Sequence, residues 1–148
     1  CVGRADLMDA AWPAATGEAL HTSTFLGHPV GCAMALAQIQ EIRARKLVDR
    51  SAALGRSFLE WLRSEVQCPG LLCEIRGLGL MAGLELRLPD GRPATAAAMA
   101  AVKEMLHRGF ILLPEGEAAN VIGFTPPLTI SGRQLRAAAR ALAEVLLQ

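Results

Sequence analysis

Between Leu78 and Leu86 the chain alternates without a break: Leu78, Leu80, Ala82, Leu84 and Leu86 interleave with Gly79, Met81, Gly83 and Glu85. A period of two is the signature of a strand. Here it sets a uniformly apolar face against an unusually small one. The apolar face demands a core, and the small face invites a helix to pack closely. A chain built on such a segment must therefore cover a sheet with helices. Leu71 to Arg76 reads as the preceding strand, and Phe110 to Leu113 and Val121 to Phe124 as short strands. Thr125-Pro126-Pro127 cannot continue a sheet interior, because successive prolines supply no amide donors.

The helices announce themselves by a different period. Cys32, Ala33, Leu36, Ile39 and Ile42 recur at helical spacing, and the charged run Arg43 to Lys46 marks a break. Leu47, Leu54, Phe58 and Leu62 carry a second helix to about Gln67, which Pro69-Gly70 stops. Ala98, Val102, Met105 and Leu106 form the buried stripe of a third, closed by His107, Arg108 and Gly109. Ser131 and Gln134 form a capping box ahead of Leu135, Ala139, Leu142 and Leu146. Asp6 to Ala11 is a short helix, and Ala14 to His28 is loop. The fold class is α+β: a short antiparallel-type sheet covered by helices, preceded by a linking helix and by the tail of another domain. The division expected is residues 1–28 for that tail and 29–148 for the linking helix and small domain.

With 148 residues and 52% hydrophobic composition the chain can bury a real core. Lys and Arg number 15 against 14 acidic residues and are dispersed, which leaves no basic face for nucleic acid. The apolar stretches are too interrupted to span a membrane. Cys1, Cys32, Cys68 and Cys73 show neither a CxxC pair nor a histidine at metal-ligand spacing. They read as buried, reduced thiols of a cytoplasmic protein, with no metal site. The start at Cys1, without an initiating methionine, suggests a piece of something longer.

The segment His21-Thr22-Ser23-Thr24-Phe25-Leu26-Gly27-His28-Pro29 leads a hydroxyl-rich loop into a helix. Ser23 and Thr24 offer hydroxyl donors, Gly27 lets a ligand approach the backbone, and Pro29 suits a first helical position. Such a loop suits a phosphate, although the same residue types serve an ordinary helix start. Three blocks in order, GEALHTSTFLGHPVGCAMALAQIQEI from Gly17, RGLGLMAGLEL from Arg76 and NVIGFTPPLTIS from Asn120, resemble the C-terminal part of the class III, fold-type-I aminotransferases that use pyridoxal 5'-phosphate. The likeness covers nearly the whole chain. It says little about the substrate.

That resemblance implies the small C-terminal domain of a homodimeric enzyme exchanging an amino group between an amine or amino acid and a keto acid. It implies that Thr24 donates to the cofactor phosphate of the neighbouring subunit and that Ser23 lies at the active-site edge. Racemase, aminomutase or phospho-lyase chemistry on the same fold, or a non-catalytic dimerisation module, are the alternatives. The family's Schiff-base lysine precedes the segment matched by Cys1 to Gly3. Only Lys46 and Lys103 are present, one in a charged run and one on a polar helix side, so this chain holds no catalytic residue and is expected to be inactive alone. Gly123 stands where many relatives that handle α-carboxylates carry an arginine, which marks it as a substrate-binding position lacking a guanidinium clamp. His28 stands where the family usually has asparagine and reads as a loop or capping residue, and His107 as a cation at a helix C-terminus. Arg76 resembles a family position at a strand–turn junction and reads as a structural hydrogen-bonding residue in preference to a substrate-binding one.

Overall fold

The computed structural model describes residues 3–12 and 27–147. Their contacts divide the chain into two units, Cys1–Glu41 and Ile42–Gln148. The first holds helix α1 (Ala5–Ala11), entered by an Arg4–Asp6 ion pair at 2.6 Å, and most of α2 (Pro29–Ala44). Pro29 opens α2, where its missing amide costs nothing, and Nδ1 of His28 accepts from the Gly31 N–H at 3.4 Å. His28 thus acts as a cap, as its sequence position suggested. The charged run does break the helix: Lys46 takes φ 49°, a left-handed conformation, before α3 (Leu47–Glu65) begins.

The second unit continues through strands β1 (Leu72–Leu78) and β2 (Met81–Arg87), helix α4 (Thr95–His107), strands β3 (Leu113–Glu115) and β4 (Val121–Phe124), and helix α5 (Gly132–Leu146). The strands form one antiparallel sheet in the order β1-β2-β4-β3. Leu84, Leu86, Ile122 and Phe124 are buried on one face, against Phe58 and Leu62 of α3, Met105 of α4, and Leu135 and Leu142 of α5. The rings of Phe58 and Phe124 meet edge to face, 5.2 Å apart, tying α3 to the sheet centre. The α+β class and its antiparallel sheet are as expected.

Several local expectations need correction. Leu78 to Leu86 is not one strand: Gly79 and Leu80 form a two-residue turn, with Leu78 paired to Met81 across it. Gly79 takes φ 57° at the first central position, where the hairpin twist favours glycine. The helices cover the apolar face, and the small face, expected to receive them, is left bare within this unit. Leu78 lies on the bare face and is 84% exposed, while Leu80 is buried. The close helix approach occurs only at the turn. A Cβ on Gly55 of α3 would overlap the Gly79 carbonyl, and Ser51 Oγ accepts from the Leu80 N–H at 3.2 Å. Helix α4 buries Ala98, Ala101 and Met105, leaves Val102 half-buried and exposes Leu106, and Phe110 to Leu112 run as coil before β3 starts at Leu113. Cys32 and Cys73 are exposed, contrary to the buried thiols expected; Cys68 is half-buried, and that burial, with the neighbouring Cys73, pushes its thiol up to about 12.

Candidate functional site: the bare face of the sheet

Because side chains alternate across a strand, the register assigns each residue of the bare face. One row across the sheet reads Arg76, Gly83, Gly123 and Leu113; the next reads Glu74, Glu85, Val121 and Glu115. Gly83 and Gly123 are direct partners in β2 and β4, so the middle of the face is a lane without side chains. Its flanks mix charged Arg76, Glu85 and Glu115 with apolar Leu113 and Val121. An ideal Cβ on Gly83 would lie 3.1 Å from Val121 Cγ1, and one on Gly123 would lie 2.5 Å from Oε1 and 2.6 Å from Cδ of Glu115. The Glu115 carboxylate therefore occupies the volume that a side chain at position 123 would take.

Beside the lane, Glu85 is only 9% exposed and gathers three donors. Arg76 Nη1 donates to it at 2.6 Å, Arg87 Nε at 2.8 Å, and Asn120 Nδ2 at 3.4 Å while also donating to the Leu86 carbonyl at 2.9 Å. The Arg76 hydrogen bond, helped by Arg87 and Asn120 and opposed by burial, holds the Glu85 carboxyl below its ordinary range. Both half-exposed guanidiniums are thereby committed to one carboxylate. Arg76 sits mid-strand, paired with Gly83, and carries the structural role expected of it, although away from the strand–turn junction where it was placed.

A cavity of about 520 Å³ opens at the end of β4 and is bordered by Gly123 and Leu113 of that same row. Phe110, Leu113, Phe124, Pro127, Ile130 and Leu135 make it largely apolar. The loop beyond β4 is held from α3, where the Arg50 guanidinium donates to the carbonyls of Leu128 and Ile130. Pro126 and Pro127 themselves supply no amide donors; the Ile130 N–H donates to the Pro127 carbonyl at 2.9 Å, and the carbonyls of Leu128 and Ile130 are met by the charged side chain.

Of the sequence-derived site residues, Ser23 and Thr24 lie outside the described residues. Gly123 is described, and it sits in the centre of the bare face. Lys46 and Lys103 are exposed, at the α2–α3 break and on α4. His107 lies in the last turn of α4, 3.6 Å from Glu104. Sequence reasoning missed Glu115, Glu85, Asn120 and Arg50. The first three need the strand register to be seen; Arg50 was visible only as one more charge on α3.

Comparison with known proteins settles the family. The model of the class-III aminotransferases matches residues 1–146. The chain belongs to that family. It is 35% identical over 145 residues to the 5-aminovalerate aminotransferase DavT of Pseudomonas aeruginosa, covering 96% of this chain and 33% of the relative. It is 37% identical over 126 residues to the acetylornithine aminotransferase of Methanothermobacter thermautotrophicus, covering 85% and 30%. A solved aminotransferase of Bacillus anthracis superposes with a TM-score of 0.77 at 29% identity, over 90% of this chain and 32% of that one. The class-III chain described here thus spans about a third of the length of these relatives. The family implies pyridoxal phosphate. Among the described residues, no helix is long and apolar enough to cross a membrane.

Proposed function

We propose that this chain supplies the phosphate loop and the small domain of a pyridoxal-phosphate-dependent aminotransferase that moves an amino group between an amine or amino acid and a keto acid. The observation that carries this reading is the family match, which runs through residues 1–146 and so includes both the loop and the sheet. Residues 1–28 are the tail of the cofactor-binding domain in this reading, and 29–148 the linking helix and small domain. The cofactor's chemistry is electron withdrawal from the carbon bearing the amino group. This chain's residues hold and select. Thr24 donates its hydroxyl to the cofactor phosphate across a homodimer interface, Ser23 borders the reacting atoms, and Gly123 on the bare sheet face borders the substrate. The Schiff-base lysine comes from outside these 148 residues, in a cytoplasmic enzyme.

Relatives are named for 5-aminovalerate, for acetylornithine and for putrescine, all amines with a second functional group at a distance. The substrate of this chain is taken to be of that kind. Thr24→Ala, made in the polypeptide that carries the lysine, tests the phosphate role. A hydrogen bond to a charged phosphate contributes about 1.5–3 kcal/mol, so cofactor affinity should fall roughly ten-fold to hundred-fold, read by fluorescence titration. Unchanged affinity would remove Thr24 from the site.

A further inference from the structure

The bare sheet face holds an acidic group with no assigned role. Glu115 lies in β3, two residues past the one that pairs with Gly123, and its carboxylate leans back over that glycine to within 2.5 Å of where a Cβ would sit. Nothing at position 123 competes for the space. Among the described residues Glu115 makes no hydrogen bond or ion pair, whereas Glu85, in the same row, takes donors from Arg76, Arg87 and Asn120. The cations of the face are therefore already committed. Arg76 is bound to Glu85 at 2.6 Å and lies 3.9 Å from Glu74, and Arg87 is bound to Glu85 at 2.7 Å. What the lane presents at Gly123 is a carboxylate that is unpaired among the described residues, beside a surface without side chains.

We propose that Glu115 makes this enzyme select amino donors whose non-reacting end is a second ammonium group, diamines and related diamino compounds, over donors that end in a carboxylate. The inference rests on the reading above that Gly123 borders the substrate. The missing side chain at Gly123 leaves room for the Glu115 carboxylate, and an ammonium group brought against that carboxylate donates charge-assisted hydrogen bonds to it. A carboxylate brought to the same place meets a like charge and finds, among the described residues of this face, only guanidiniums already bound to Glu85, so the arrangement discriminates by repulsion as well as by attraction.

The test uses the cofactor-loaded, lysine-bearing enzyme and three donors of matched chain length: a diamine, an ω-amino acid and a simple alkylamine. The wild type should favour the diamine. Glu115→Gln should lower the ratio of diamine to alkylamine kcat/KM about ten-fold, mainly through the diamine KM. Glu115 is exposed and the replacement nearly isosteric, so the melting temperature should hold. A wild type that prefers the ω-amino acid, or a ratio that Glu115→Gln leaves unchanged, would overturn the role of Glu115 while transamination itself stands. Failure to transaminate any donor would instead take down the aminotransferase reading, and this inference with it. A second pair of variants gives an independent reading. Gly123→Arg alone places its guanidinium against Glu115, which neutralises it, so the ω-amino acid should gain little. Adding Glu115→Gln should free the guanidinium and raise ω-amino acid kcat/KM about ten-fold over the single variant. Equal effects with and without Glu115 would contradict the proposal.

Discussion

Gly55 and Gly79 show how far one methyl group matters in this chain. By helix propensity alone, Gly55→Ala in α3 should stabilise by up to about 1 kcal/mol. The added Cβ, however, would land on the Gly79 carbonyl, which is backbone held in the hairpin turn and has no flexible end to move aside. Overpacking of this kind costs about 1–3 kcal/mol, so the clash wins and the variant should unfold at lower urea than wild type. A more stable Gly55→Ala would mean that α3 and the turn do not meet as described. Glu85 is the second residue-scale case, and its effect depends on pH. Its folded pKa is depressed, so the stability it contributes is fully present above the unfolded carboxylate value of about 4.3 and is lost as pH falls through the lower folded value. Glu85→Gln should therefore cost about 1 kcal/mol at neutral pH, limited by the half-exposed arginines, and the gap should close below about pH 4. Paired thermal melts across that range check it, and a gap that widens in acid would reverse the assignment.

The elements differ in how openly the sequence declares them. Helix α5 was plain: Ser131 Oγ accepts from the Gln134 N–H at 3.2 Å, and Gln134 Oε1 accepts from the Ser131 N–H at 3.0 Å, the reciprocal box expected from the two residue types. Ser131→Ala should cost about 1 kcal/mol, measured by chemical denaturation, and no loss would show that α5 is held by its packing alone. The β1–β2 hairpin was hidden, because a two-residue turn leaves the alternation of large and small residues unbroken from Leu78 to Leu86. Only the left-handed conformation of Gly79 distinguishes turn from strand, and a glycine there is equally at home in either reading. The same ambiguity put the helices on the wrong face. Gly83 and Gly123 are small because they line a bare lane, and the side that a helix needs is the one carrying Leu84, Leu86, Ile122 and Phe124.

At the scale of the whole molecule, the local motifs of the family could be quoted from the sequence, while the arrangement of charge around Gly123 could not. Ser23, Thr24 and Gly123 were named from blocks of residues contiguous in the chain. Glu115 and Glu85 gain meaning only when β2, β4 and β3 are set side by side, which brings these two residues, 30 positions apart, into one row beside Gly123. The family match and the exposure of both lysines support the proposal that this chain holds and selects while the Schiff-base lysine comes from outside these 148 residues. Borohydride reduction tests that account most directly. The 148-residue chain is mixed with one equivalent of pyridoxal phosphate, reduced, and mapped by peptide mass. The expected result is no stoichiometric adduct on Lys46 or Lys103, beside a single labelled lysine outside this segment in the longer polypeptide; a full-occupancy adduct on either Lys46 or Lys103 would contradict the account.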